Sequence, residues 1–447
     1  MKLFAKEIAE ALGGKLIGND VEINSISTNS REIGENCLFI PLKGEKFDAH
    51  KFIPSAVENG AVCILTQEDG DYGVTAVRVE NTHDAMGKLA AYYRSKFDIP
   101  FVGLTGSVGK TTTKDMIASV LAQKYNVLKT EGNFNNDIGV PLTLFRLESE
   151  HECAVIEMGM NHFNEISYLT NIAKPDIAVI TNVGVSHIEN LGSREGILKA
   201  KCEIFESMKA DAPKILNGDN DMLQTVADKY ENIKYFSAEG EKAYIYADNI
   251  RQRGIDGISC TIHKGNESFD VDIPIPGRHM VSNALSAAAV GYELGLDSKL
   301  IKKGIENFVP TGGRMDIIRN AKYTVINDVY NANPASVEAG IDVLTYAEGK
   351  KCCILGDMFE LGNYADKMHA DVGRYAVDKG IDVLVCIGEL SENMYRAAVN
   401  KRSENVYYFK TIEDFEKNID TVLYDGLTIL VKASRGMHFE KIVDIIK

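Results

Sequence analysis

The chain predicts an α/β fold, and three observations carry that expectation. Apolar runs of strand length recur at 101–104, 153–156, 177–180 and 213–216, with helical stretches between them. A second alternation follows from about 322, with strand candidates at Tyr323–Ile326, Cys352–Leu355, Val383–Ile387, Val406–Phe409 and Thr428–Val431. Strands of this kind, apolar throughout and separated by helices, belong to parallel sheets covered on both faces. A glycine-rich turn also follows the first of these runs, where such sheets place a ligand.

In chain order, residues before about 80 read as a small mixed domain. Cys37–Leu42 and Ala61–Leu65 are its short buried strands, with the polar, turn-like stretch Lys43–His50 between them. Residues 83–97 carry apolar positions at helical spacing (Ala85, Leu89, Tyr92, Tyr93), and Pro100 stops them. The first parallel alternation runs from 101. Residues 244–275 break its rhythm with alternating segments that contain Gly254, Gly257 and Gly265, which predicts a β-rich excursion. A helix returns over 281–295. The hinge before the second alternation is Val309-Pro310-Thr311-Gly312-Gly313.

A length of 447 residues suggests two to four domains. No apolar stretch is long enough to span a bilayer, and the charged N-terminus is no signal peptide. The eight cysteines include no Cys-x-x-Cys, and Cys352-Cys353 lies in a strand candidate, so a reducing cytoplasm is expected. A formal net charge of −15 argues against nucleic acid as a partner. An anionic ligand would need local cations, and Arg31, Lys43, Lys110 and Arg314 are the candidates near motifs.

The glycine-rich turn reads Thr105-Gly106-Ser107-Val108-Gly109-Lys110-Thr111-Thr112-Thr113. A strand, a glycine loop, then Lys and a hydroxyl opening a helix is the arrangement that points backbone N–H groups at a phosphate. Lys110 can reach the terminal phosphates and Thr111 can hold the accompanying Mg²⁺. Leu104 fills the slot of the first glycine of the usual phosphate loop, while Gly106-x-x-Gly109-Lys110-Thr111 is intact.

Other candidates are positional. Glu157 follows the run Cys153–Ile156, where it is either a Mg²⁺ ligand or a solvated strand end. His187 follows another strand and is a metal ligand, a base or a capping group. Lys199 and Lys201, in a helical stretch, read as surface lysines. Gly132–Pro141 (Gly-Asn-Phe-Asn-Asn-Asp-Ile-Gly-Val-Pro) binds a peptide or phosphate, or is simply a turn. Asn283, after Gly277-Arg278-His279, reads a base edge or packs internally. Asp328-Val329-Tyr330-Asn331-Ala332-Asn333-Pro334 offers a carboxylate, an aromatic face and amides after a strand.

Taken together, these segments resemble the Mur ligase family. The phosphate loop carries the resemblance, together with Gly132–Pro141, Glu157–His162, Ala200–Phe205, Tyr330–Pro334 and Leu355–Gly362, all in the family order. The resemblance implies three domains. A UDP-sugar-binding mixed α/β domain spans 1–82, a central ATP-binding P-loop domain 83–311, and a C-terminal Rossmann-like ligase domain 312–447. The implied activity is ATP-dependent joining of D-alanyl-D-alanine to the terminal carboxylate of UDP-N-acetylmuramoyl-tripeptide, through an acyl phosphate, in peptidoglycan precursor synthesis.

By the same resemblance, Lys110, Glu157, His187 and Lys201 are catalytic, and Thr111, Glu157 and His187 hold Mg²⁺. Lys201 looks like the family lysine that CO₂ converts to a carbamate, against its surface reading. Residues Thr105–Thr112, Asn283, Arg314 and Asp328 serve ATP. Ser30, Arg31, Lys43, Asp48 and His50 match the UDP-sugar region, and Asn135, Asn136, Tyr330, Asn331 and Asn333 face the acceptor. A monomer is expected. Two departures stand: Asn29-Ser30-Arg31 replaces a common Asp-Ser-Arg, and Cys202 replaces a small residue beside Lys201. Rival readings are a sister ligase, a folylpolyglutamate-type enzyme and a P-loop switch. The Asp-Asn-Pro-Arg run of the tripeptide-adding sister and the Asn-Lys-x-Asp run of a GTPase are both absent.

Overall fold

The computed structural model describes residues 1–447 except Glu45, Glu241 and Thr311. Glu45 falls in the Lys43–His50 stretch and Thr311 in the expected hinge, so those two positions lie outside the described residues. The chain divides into two compact units: residues 1–105, 124–179 and 200–214 form one, and 106–123, 180–199 and 215–447 the other.

The first unit opens with a five-stranded sheet in the order Lys15–Ile17, Thr75–Arg78, Ala61–Thr66, Cys37–Phe39, Ser25–Ser27. Only the first pair is antiparallel. Phe39, Ile53, Ala56, Ala61, Ile64 and Ala76 make its core. The expected strand Cys37–Leu42 ends at Phe39, because Pro41 has no N–H to give a ladder. Helix Thr82–Arg94 is capped by Asn81, whose side chain accepts from the His83 and Asp84 N–H groups. It stops at Arg94, short of the expected 97. Strand Cys153–Glu157, buried along its whole length, pairs in parallel with Phe101–Thr105 on one side and Val127–Lys129 on the other.

In the second unit helix Lys110–Leu121 packs against His279–Glu293 and Ser298–Glu306. Gly304 permits the close approach, since a Cβ there would lie 2.4 Å from Val120 Cα. The β-rich excursion is an antiparallel meander of Ile245–Gln252, Ile258–Lys264 and Glu267–Ile273. The C-terminal sheet has six strands in the order Asp316–Arg319, Thr324–Asn327, Thr428–Lys432, Lys351–Gly356, Val383–Ile387, Val406–Phe409. The last strand in sequence thus enters beside the first parallel one, and its neighbours on both sides are parallel to it. All five expected strands are present. Asp316–Arg319, antiparallel at the edge, was not anticipated, since four residues with charged ends carry little apolar signal. Val325, Ile354, Val385 and Ile429 lie in the core beneath this sheet, each contributing roughly 1.5–3 kcal/mol on burial. Among the described residues no helix is long and apolar enough to cross a membrane.

Candidate active site

Residues 181–184 shape the glycine-rich loop. The Asn182 carbonyl accepts from Ser107 N at 3.1 Å. The Asn182 side chain takes the Val108 N–H on Oδ1 at 2.9 Å and donates from Nδ2 to the Val108 carbonyl at 3.0 Å. Thr181 Oγ1 donates to that same carbonyl at 2.8 Å, and Gly184 N donates to Ser107 Oγ at 2.9 Å. Gly106 is required here, because a Cβ would lie 1.9 Å from Thr181 Oγ1. Gly109, at φ +81°, takes the left-handed conformation that turns the loop into helix Lys110–Leu121. Lys110 Nζ donates to the Gly106 carbonyl at 2.8 Å.

Thr111 is buried on the first turn of that helix and Thr112 is half-buried. Thr113 Oγ1 donates to Asn283 Oδ1 at 3.0 Å, which brings Asn283 beside the loop. That oxygen lies 3.5 Å from where a Cβ of Gly109 would be.

His187 holds φ +62° just before helix Ile188–Leu191. Its Nδ1 is 3.7 Å from Glu360 Oε2, on a residue that is itself at φ +63°. Non-glycine residues rarely take this conformation, and the two meet here from opposite chain segments. Arg314 lies with its guanidinium 3.9 Å from the Tyr330 ring centroid, and Arg435 approaches the same ring at 5.6 Å. Arg314 Nε is buried with no hydrogen-bond partner among the described residues. A buried guanidinium donor in that state suits an anionic oxygen.

Asp328 sits at the end of strand Thr324–Asn327 and pairs with Lys432 Nζ at 2.6 Å. The lysine is completed by the Asn331 carbonyl at 3.0 Å, and Asp328 Oδ1 takes the Met315 N–H at 3.3 Å. Asn331 Oδ1 accepts from Ala332 N at 2.9 Å and from Arg435 N at 3.4 Å. Asn333 caps helix Pro334–Thr345, accepting from Ser336 N at 2.9 Å.

In the first unit, Glu157 is 1% exposed at the tip of its strand. Its N–H donates to Thr130 Oγ1 at 3.0 Å, and its Oε1 accepts from Asn135 Nδ2 at 2.9 Å. Asn136 Oδ1 accepts from Gly139 N at 2.8 Å, which supports the start of helix Gly139–Leu144. Lys201 corrects the surface reading: it is 2% exposed, while Lys199 is exposed. Two residues on a helix differ by about 200°, so lysines at i and i+2 cannot share a face.

The first unit also gathers Lys43, Asp48 and His50. Lys43 Nζ is 3.0 Å from Asp48 Oδ2, and His50 Nδ1 is 2.7 Å from Asp48 Oδ1. The His50 backbone N–H, with these two side chains, holds the Asp48 carboxyl well below the usual carboxylate range. Ser30 and Arg31 lie in a turn after strand Ser25–Ser27, where Arg31 N donates to Asn29 Oδ1 at 3.1 Å and the Ser30 carbonyl accepts from Asn59 Nδ2 at 2.8 Å. Arg31 itself is exposed. Sequence reasoning missed Thr181, Asn182, Glu360 and Lys432. Each is bound to a partner more than 70 residues away, so no local pattern marks it.

A phosphate-loop α/β protein with carboxylate and cationic groups at its strand ends is the class so far defined, and comparison with known proteins narrows it. Models of the Mur ligase family match three successive segments. Its catalytic domain matches residues 22–94, its middle domain 104–291 and its glutamate ligase domain 313–435. The chain belongs to the Mur ligase family and has its three-domain α/β architecture.

Among relatives, it is 36% identical to the UDP-N-acetylmuramoyl-tripeptide–D-alanyl-D-alanine ligase of Escherichia coli (strain K12), over 98% of this chain and 96% of that one. It is 38% identical to the ligase of the same name from Bacillus subtilis (strain 168), over 99% and 98%. A crystal structure of MurF from Acinetobacter baumannii superposes with a TM-score of 0.92 at 32% identity, covering 100% of this chain and 99% of that one. MurF ligase from Thermotoga maritima, solved in complex with ADP, gives 0.84 at 28% identity over 94% and 96%.

Proposed function

We propose that the chain joins D-alanyl-D-alanine to UDP-N-acetylmuramoyl-tripeptide, driven by ATP, in peptidoglycan precursor synthesis. The observation that carries this reading is the end-to-end likeness to ligases of that name, at 36% and 38% identity. The phosphate loop supports it from within: Thr181 and Asn182 hold it at Val108, and Lys110 Nζ donates back to the Gly106 carbonyl.

The tripeptide carboxylate attacks the γ-phosphorus of ATP, and ADP leaves as the acyl phosphate forms. The amine of D-alanyl-D-alanine then attacks the acyl carbon, a proton is lost, and inorganic phosphate leaves. Catalysis of this kind rests on positioning and charge neutralisation. In this reading Thr105–Thr112 cradle the ATP phosphates, with Lys110 donating to the transferred group. Asn283, Arg314 and Asp328 complete the nucleotide contacts, and the Nε of Arg314, which has no hydrogen-bond partner among the described residues, fits an anionic oxygen.

Thr111, Glu157 and His187 would hold Mg²⁺. A hydroxyl, a carboxylate and an imidazole form a donor set suited to a divalent cation. Bound there, the ion neutralises phosphate charge. Buried Lys201 would serve as a carbamate formed from its amine and CO₂, which turns an inaccessible cation into a carboxylate-like group. Ser30, Arg31, Lys43, Asp48 and His50 take the UDP-sugar. Asn135, Asn136, Tyr330, Asn331 and Asn333 face the acceptor.

The proposed domains are 1–82, 83–311 and 312–447. The working state is a cytoplasmic monomer, and eight buried cysteines suit a reducing compartment. The purified chain, given ATP, D-alanyl-D-alanine and UDP-N-acetylmuramoyl-tripeptide, should yield the UDP-linked pentapeptide, ADP and phosphate in equal amounts. Omission of any one substrate should abolish product. ADP release without a new peptide bond would overturn the reading.

A further inference from the structure

Helix Thr82–Arg94 carries a histidine on its first turn that no role above uses. His83 Nε2 lies 2.8 Å from Asp137 Oδ2, and His83 Nδ1 lies 4.0 Å from Asp84 Oδ1. The ring stacks on Tyr168 of helix Glu165–Ala173, with centroids 6.5 Å apart and planes within 14°. Gly87 makes room for that tyrosine, since a Cβ there would lie 2.1 Å from Tyr168 Oη.

Asp137 belongs to the loop 132–141. From the same loop Asn135 Nδ2 donates to Glu157 Oε1 at 2.9 Å, and the Asn135 carbonyl accepts from Gly159 N at 2.7 Å. Before Gly139 this loop has no regular secondary structure to stiffen it. Its tie to the helix through His83 and its grip on Glu157 are two residues apart.

We propose that His83 is a positioning residue for the ligation: by holding Asp137 it fixes the loop 132–141, so that Asn135 keeps the Glu157 carboxylate in its working orientation. The catalytic consequence rests on the function proposed above; the mechanical one does not.

The groups facing the imidazole define how the tie responds to pH. Asp84 comes from its own helix, Asp137 from the loop, and Tyr168 from the helix opposite. Helix Gly139–Leu144, also packed nearby, has no titratable side chain. Tyr168 stays neutral, with burial pushing its hydroxyl up to about 12. The bond to Asp137 raises the His83 pKa, against the opposing pull of burial. The same bond lowers that of Asp137. A raised histidine pKa means the ion pair is fully present below the ordinary value of about 6.5 and fades as pH rises through the raised value. A neutral imidazole can still donate one hydrogen bond to Asp137, so the tie weakens without vanishing.

The test uses the full chain with His83→Ala, His83→Gln, His83→Arg and Asp137→Asn. Hydrogen exchange at the amides of residues 157–159 should quicken in His83→Ala and Asp137→Asn. In proton NMR the His83 ring should titrate at a lower pH in Asp137→Asn. The ligation kcat should fall on the order of 10-fold in His83→Ala, as for loss of a group supporting a metal ligand. The double variant should be no worse than the worse single one. The ratio of wild-type to His83→Arg rates should decline between pH 6 and 8.5, because arginine keeps its charge. If His83→Ala misfolds, His83→Gln and His83→Arg carry the same comparison. Unchanged exchange at 157–159, or a pH-independent rate ratio, overturns the proposal. Quickened exchange in a chain that ligates nothing would retain the tie and reject the function.

Discussion

Replacing Gly106 by alanine tests the phosphate loop at its tightest point. The new Cβ would sit 1.9 Å from Thr181 Oγ1, 3.1 Å from Thr181 Cβ and 3.4 Å from Thr181 N. Ordinary packing requires the gap to open by roughly 1.5 Å, more than a close-packed interior yields freely. Either the loop backbone moves or Thr181 rotates and gives up its 2.8 Å bond to the Val108 carbonyl. Overpacking costs about 1–3 kcal/mol and the lost hydrogen bond about 1 kcal/mol. With the phosphate cradle distorted by a cost near 2 kcal/mol, ADP affinity should fall on the order of 30-fold. Titration calorimetry with ADP measures this directly, and circular dichroism confirms that the fold survives. The second-site change Thr181→Ala removes the clashing oxygen, so Gly106→Ala with Thr181→Ala should recover much of the lost affinity. Wild-type ADP binding by Gly106→Ala, or no recovery in the double variant, would refute the assignment of this loop to phosphate.

Three further outcomes follow from the same geometry. Lys110→Ala should keep its fold and lose about 100-fold in turnover, about 3 kcal/mol of transition-state stabilisation, measured by steady-state phosphate release. Asp328→Asn should destabilise the C-terminal sheet by about 3–5 kcal/mol, because it strands the buried Lys432 ammonium, as read from the urea midpoint. The double change Asp328→Asn with Lys432→Gln should recover part of that loss. Lys201→Ala should be nearly inactive and partly restored by small added carboxylates; full activity without them would remove the carbamate assignment.

Particular residues show where sequence was informative and where it was not. Gly106, Gly109, Lys110 and Thr111 fall within six consecutive residues, so the loop proposed to bind phosphate was legible from spacing alone. Every strand of the second alternation was legible too, since each holds consecutive apolar or aromatic residues within its four to six positions. Strands as short as Leu3–Phe4 and Glu22–Ile23 carry no periodicity to read. Thr181 and Asn182, which close the loop, arrive more than 70 residues later in an unremarkable strand end. Lys432 lies one residue beyond the expected strand Thr428–Val431 and carried no signal of its own, yet the sheet order places that strand between two others and buries the lysine. The local helical stretch alone read Lys201 as a surface lysine, and only the family resemblance set it apart, although helix geometry separates it from Lys199. In each of these cases the partner across space supplies the meaning.

The central claim is that the tripeptide carboxylate is activated as an acyl phosphate. Oxygen-18 placed in that terminal carboxylate tests it most directly. One labelled oxygen should appear in the inorganic phosphate released with each peptide bond, with ADP as the other product. Unlabelled phosphate, or label carried into AMP, would contradict it.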